Sequence, residues 1–389
     1  MIIVTDLSFN SALTPLKSLR SSQGIEVKTV FVQDIFDEFG YGVYSTEAIK
    51  DFLAYAYENW SGDREYVLLV GEGSYDHRDV LGLNGPGGNL VPVYLRSGID
   101  LNLGEAASDN QFVDFDGDDL ANMMLGRLPA RDSAELSIMV DKILAYEAGP
   151  TTAPWRAKHL FVTDNGLVPS ESGCSQDPAS DFFAVVDSFI DNFFPDEHLL
   201  YRINYAPTQC YPDPEPYYAQ TVLQMQTGIV QKYNAGNQFV IYTGHSGSRN
   251  WGHENFFNQQ LANGLENGGH TPVMLPMTCL VGIYHFPQGD NLSETLLKIN
   301  GGGSVASYAP TGLQVQNGHD YLLEGFYTSI FDDGDRILGQ AIYKAKLNLD
   351  SGPSSYQDLH DTFMLLGDPA MRIDIPEYVE QSYLPLTTN

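Results

Sequence analysis

Short apolar runs alternate with stretches of helical periodicity along almost the whole chain. Ile2–Thr5, Glu26–Val32 and Tyr66–Val70 read as strands, as does M-M-L-G-R-L-P at 123–129. Between them, 12–22 has helical spacing. Thr46–Trp60 places Ile49, Phe52, Leu53, Tyr55 and Ala56 at helical positions, with Thr46 available as N-cap ahead of Glu47. Ser133–Glu147 puts Leu136, Met139, Val140, Ile143 and Leu144 on one face. Residues 148–155, with Gly149, Pro150 and Pro154, form the best linker.

The alternation then restarts. Leu160–Thr163 is a strand ending at Asp164, followed by a long polar loop (165–180) and an apolar helix over 181–194. Strands at 199–205, 239–242, 273–277 and 303–308 are interleaved with helices at 218–233, near 293–299, at 319–331 and at 335–349. Residues 363–375 read as a terminal strand pair broken by G-D-P. Strands alternating with helices predict an α/β protein with parallel pairing and right-handed crossovers. The expected units are 1–152 and 153–375, followed by a tail at 376–389 with little pattern.

Composition narrows the partners more than the fold. The 389 residues are 43% hydrophobic and 12% aromatic, ordinary for a folded chain. Twenty basic residues face 50 acidic ones, a formal net charge of −30. Such a surface is repelled by nucleic acid and by anionic membranes and favours cationic substrates or divalent ions. No run of 18 apolar residues provides a membrane span, and M-I-I-V-T-D enters a strand without the regions of a signal peptide. Of the three cysteines, Cys174 and Cys210 lie in loop sequence and either pair or stand as free thiols, whereas Cys279 follows an apolar run.

The chemistry gathers between Phe239 and Gly282. F-V-I-Y-T-G-H-S-G and V-M-L-P-M-T-C-L-V-G are buried-strand runs, one ending in His245 and the other in Cys279, 279 − 245 = 34 positions apart. Functional groups of open α/β sheets collect beyond the carboxyl ends of neighbouring strands, so these two residues form a candidate thiol–imidazole dyad for acyl transfer. The T-G-H-S-G turn offers the N–H of Ser246 or Gly247, with that of Cys279, as oxyanion donors. Asp164, closing an earlier strand, is placed to orient the imidazole, and Glu254 is its competitor. Zinc is disfavoured: His245, His253, His270, Cys279 and His285 show neither H-E-x-x-H nor C-x-x-C spacing. No cofactor is needed for such chemistry. Asp114, Asp116 and Asp118, with Gly117 between and Asn122 beyond, have the alternating oxygen ligands of a calcium loop, although Leu125 stands where an EF-hand carries its bidentate carboxylate. G-E-G-S at 71–74 reads as a plain turn.

Taken together, Y-V-L-L-V-G-E-G-S-Y-D at 66–76, M-L-G-R-L-P at 124–129, I-Y-T-G-H-S-G-S-R-N-W-G at 241–252, M-T-C-L-V-G at 277–282 and L-L-G-D-P-A-M-R-I at 365–373 resemble the gingipain-like cysteine peptidases, bacterial relatives of caspases. The resemblance covers most of residues 1–375. It implies two side-by-side parallel-sheet subdomains flanked by helices, the second caspase-like and catalytic, with Cys279 as nucleophile, His245 as catalytic histidine and Asp164 as its acidic partner. It likens Asp181 to the acidic floor of an arginine-selecting pocket, hence cleavage after Arg or Lys through a thioester acyl-enzyme, and it implies a secreted or surface protein with bound calcium. Ser246 departs from the family's usual Gly, and the aromatic lid of the arginine pocket has no counterpart near 311–316. A catalytically silent binding domain and a sortase-like transpeptidase are the other readings. Protein or peptide substrates are the expected partners.

Overall fold

The computed structural model describes all residues except 63, 64, 98–103, 172, 214, 314–317, 354, 355, 357 and 377–389; residues 377–389 of the tail and 314–316 of the stretch lacking an aromatic lid thus lie outside the described residues. Eleven strands form one sheet: β1 (Ile2–Thr5), β2 (Lys28–Phe31), β3 (Tyr66–Val70), β4 (Met124–Leu128), β5 (Lys158–Thr163), β6 (Leu199–Tyr205), β7 (Tyr218–Ala219), β8 (Phe239–Thr243), β9 (Val273–Met277), β10 (Ala306–Pro310) and β11 (Phe363–Leu366). Their spatial order is β7-β6-β5-β8-β9-β10-β11-β4-β3-β1-β2. All neighbours are parallel except β10 and β11.

The two runs of alternation are therefore two wings of a continuous sheet, and β11 is the seam. It pairs antiparallel with β10 (Tyr308 opposite Leu365) and parallel with β4 through Leu366 and Arg127. The seam is tight: a Cβ on Gly126 would lie 2.3 Å from the Gly367 carbonyl oxygen, so only glycine lets the backbones meet. Helices cover both faces, and the central strands are buried throughout, as parallel strands require. On one face Phe161, Ile241 and Leu275 pack with Val186 and Phe189 of the helix Phe182–Phe193, in a cluster that runs through Leu365 to Leu68 and Ile3. One hydrophobic core thus crosses the seam. On the other face the wings have separate clusters, Val240 and Tyr242 with Met225 and Ile229 in one, Val67 and Leu69 with Ile49 and Leu53 in the other.

A buried ion pair braces the seam. Arg127, fully buried on β4, donates to Asp109 from Nε (2.7 Å) and Nη2 (2.8 Å) and to the carbonyls of Gly71, Val91 and Pro92. Tyr284 donates its hydroxyl to the same Asp109 and lies under the guanidinium, 4.7 Å from its ring centre.

Two local expectations shift. The helix Thr46–Asn59 is capped by Ser45, whose hydroxyl accepts from the Ala48 N–H, rather than by Thr46. The polar loop 165–180 holds an antiparallel hairpin, Leu167–Ser170 with Gly173–Gln176, and a disulfide joins Cys174 to Cys210 with their Cα atoms 5.7 Å apart.

Candidate active site

Strand register brings the site together. Thr243 at the end of β8 lies opposite both Thr163 of β5 and Met277 of β9, so the chain leaves all three strands at one level. Asp164 follows β5 by one residue, His245 follows β8 by two, and Cys279 follows β9 by two. Gly244 makes the turn to His245 with φ +153°, and a Cβ there would sit 2.2 Å from that of Asp164. Leu280, immediately after the nucleophile candidate, holds φ +54°, a conformation costly for a side chain of its kind, and turns the chain sharply at Cys279.

The imidazole is held on three sides. Nε2 of His245 lies 3.1 Å from both carboxylate oxygens of Asp177, Phe182 packs edge-on at 5.4 Å between ring centres, and His253 lies at 4.5 Å. An acceptor at Nε2 fixes the proton of the neutral ring there, which leaves Nδ1 as the nitrogen for proton exchange. Asp177 is almost buried, and its Oδ1 also accepts from the Ala179 N–H at 2.8 Å, which fixes the carboxylate's orientation. The backbone is fixed as well: the His245 carbonyl accepts from the Gly252 N–H (2.7 Å) and the Tyr242 hydroxyl.

Asp164, expected on the imidazole, is placed on the backbone instead. Its Oδ2 accepts from the His245 N–H at 3.1 Å and its Oδ1 from the Asn165 N–H at 2.8 Å. Burial, with Glu254 adding repulsion, pushes this carboxyl up to about 7. A residue one position past β5 is too close to the His245 main chain to reach round to its ring. Glu254 acts on Asp164 through that repulsion.

Ser246 stitches the histidine loop to the cysteine loop. Its hydroxyl accepts from the Cys279 N–H (3.1 Å) and from Thr278 Oγ1 (2.8 Å) and donates to the Cys279 carbonyl. Thr278 Oγ1 also reaches the Gly244 carbonyl. The Cys279 N–H, expected to serve as an oxyanion donor, therefore already has an acceptor in the Ser246 side chain. Cys279 itself is half-buried.

Asp181 caps the helix Phe182–Phe193, with Oδ1 accepting from the Ala184 N–H at 3.2 Å, and its carboxylate lies over Gly166, where a Cβ would come within 2.6 Å of it. It stands one residue from Phe182, which packs on His245. The carboxylates of Asp114, Asp116 and Asp118 each place an oxygen within 4.8 Å of the others. Asp114 is buried and accepts from the Gly117 N–H, whereas the side-chain oxygen of Asn122 accepts from the Phe115 N–H.

The model of peptidase family C25 matches residues 1–374. The chain belongs to that family. Gingipain R2 of Porphyromonas gingivalis (strain ATCC 33277) is 23% identical over 290 residues, which span 74% of this chain and 33% of that protein. Gingipain R1 of P. gingivalis is 23% identical over 290 residues, 74% of this chain and 24% of that protein. The chain thus spans 24% to 33% of these relatives. Among solved structures, the complex of P. gingivalis RgpB pro- and mature domains is similar with a TM-score of 0.73 at 18% identity, covering 97% of this chain and 80% of that one. The Arg-specific cysteine proteinase gingipain R is similar at 0.73 and 19%, covering 95% and 77%. At these identities the structures show the fold: a mixed α/β sheet flanked by helices.

Asp177 is the site residue that sequence reasoning missed. It lies 68 positions before His245, inside a loop without periodicity. The run of Asp177, Asp181 and Phe182 just before a strong helix was the available signal, and it drew attention only to Asp181.

Proposed function

We propose that this chain is a cysteine endopeptidase in which Cys279 is the nucleophile, His245 the proton carrier and Asp177 its orienting carboxylate. The observation that carries the reading is the meeting of register-matched strand ends that present His245 and Cys279, with Asp177 on Nε2. The Cys279 sulfur, having given its proton to Nδ1, attacks the scissile carbonyl. The imidazolium returns that proton to the leaving amine, and a thioester remains. Water, deprotonated by His245, then releases the acid and restores the thiol. Asp164 holds the turn rather than the ring. The Ser246 hydroxyl must give up the Cys279 N–H for that donor to reach the oxyanion.

Cleavage after Arg or Lys is the preference favoured, since Asp181 stands one residue from Phe182, which packs on the imidazole, and the chain is strongly acidic. Protein or peptide substrates follow. The Cys174–Cys210 disulfide favours a secreted or surface setting; among the described residues no helix is long and apolar enough to cross a membrane. Asp114, Asp116 and Asp118 would supply part of a structural calcium site. A calcium-dependent rise in melting temperature that Asp116→Ala abolishes tests it; no rise refutes it.

The test of the activity is a peptide panel varied at P1, assayed with wild type and Cys279→Ala. Cleavage abolished in the variant, with Arg or Lys preferred at P1, is expected. Residual cleavage by Cys279→Ala sinks the reading. A wild type that neither cleaves nor alkylates at Cys279 points to a silent binding domain, and transfer to an added amine in place of water points to a transpeptidase.

A further inference from the structure

The carboxylate that meets His245 is oriented locally by the Ala179 N–H, but the hairpin that delivers it lacks apolar packing. Asp177 follows directly on the hairpin Leu167–Ser170/Gly173–Gln176, which forms a two-stranded sheet of its own, apart from the main sheet. Pro169, Gly173, Ser175 and Gln176 are exposed, and among the described residues no hairpin side chain belongs to the hydrophobic clusters. Two isolated strands are marginally stable in water. At the hairpin's base, the Asp177 N–H donates to the Gly166 carbonyl (2.8 Å), and the Leu167 N–H donates to the Tyr211 hydroxyl (2.8 Å).

The covalent tie is the disulfide from Cys174, three residues before Asp177, to Cys210. Cys210 sits in a turn closed onto the Pro207 carbonyl, just past β6, and the neighbouring Tyr211 packs on Phe183 and Tyr218. The bond therefore fastens an exposed hairpin to the end of a core strand. Both ends of that connection reach the imidazole: Asp177 at Nε2, and Phe183 through its neighbour Phe182.

We propose that the Cys174–Cys210 disulfide is the positioning element for Asp177, so that its reduction switches down proton transfer at His245. The inference rests on the peptidase reading of the site. A dithiol reductant supplies two electrons and two protons, the S–S bond breaks to give the Cys174 and Cys210 thiols, and the reductant closes to its own disulfide. Cys279 is unchanged by that exchange. The freed hairpin no longer holds Asp177 at the ring, and a misplacement of about 1 Å at a catalytic contact costs on the order of 10²-fold.

The test is a cycle of variants assayed for peptide cleavage: wild type, Cys174→Ser/Cys210→Ser, Asp177→Asn, and the three changes together. Removing the disulfide should lower kcat about tenfold or more, with KM within about twofold. In the Asp177→Asn background it should change kcat by less than about twofold, because the disulfide acts through that carboxylate. Dithiol treatment of the wild type should reproduce the loss and reoxidation should reverse it, which covers failure of the Ser variant to fold. The same treatment should leave Cys174→Ser/Cys210→Ser unaffected. An undiminished kcat without the disulfide overturns the proposal, as do losses that multiply in the combined variant. Failure of the peptidase reading shows separately, as cleavage that survives Cys279→Ala.

Discussion

Replacing Asp177 by Asn tests the arrangement at the imidazole most directly. The side chain keeps its size and one acceptor oxygen, but the charge facing Nε2 at 3.1 Å is gone. Once His245 carries the proton taken from Cys279, the Coulomb attraction at that distance is about 5 kcal/mol with an effective dielectric constant of 20. Most of it is offset by the desolvation of Asp177, whose side chain is only 7% exposed. A net value of about 1.5–3 kcal/mol, that of a hydrogen bond to a charged partner, is what remains. The expected result is a fall in kcat of about 10- to 150-fold with little change in KM, because the attraction grows only as the imidazolium forms. Initial-rate kinetics on a fluorogenic peptide, with burst titration to count active sites, separates this from loss of folded enzyme. A variant within about twofold of wild type in kcat would refute the argument. It would mean that the carboxylate contact at Nε2 carries no part of the proton transfer.

Two further predictions concern stability. Asp164 is held up to about 7 in the folded chain against an ordinary value of 3.8, so the folded state binds its proton more tightly than the unfolded state. Stability from this group is greatest below about 4 and declines as pH rises towards 7, so urea denaturation should show Asp164→Asn, which mimics the protonated form, gaining on wild type across that window and then levelling. A constant difference from pH 4 to 8 contradicts it. Asp109→Ala strands the fully buried Arg127 guanidinium at the seam and should cost about 3–5 kcal/mol in equilibrium denaturation; a cost below about 1 kcal/mol would show that the pair does not brace the sheet.

Much of the frame was legible along the chain. Phe239–Thr243 and Val273–Met277 are unbroken apolar runs closed by turn residues, and such runs become central parallel strands because water is excluded from both their faces. His245 and Cys279 inherit their place from those strands. The acidic surface and the three cysteines were equally plain. That Phe363–Leu366 joins the two wings was not legible, because an apolar run announces a strand but not its neighbours, and the pairing of Leu365 with Tyr308, 365 − 308 = 57 positions away, or of Leu366 with Arg127 is decided by packing.

By itself, then, the sequence determined the strand cores and set His245 and Cys279 just past their ends, since local hydrophobicity marks where such runs stop. The tertiary structure alone decided the partners. Asp177 rather than Asp164 reaches the ring because the chain after the hairpin Leu167–Ser170/Gly173–Gln176 brings it to Nε2, and Asp164 is spent on the main-chain N–H groups beside it. Ser246 takes the Cys279 N–H because two loops converge. Hydrogen bonds between residues far apart in the chain depend on three-dimensional approach to within about 3 Å, and no periodic pattern encodes that.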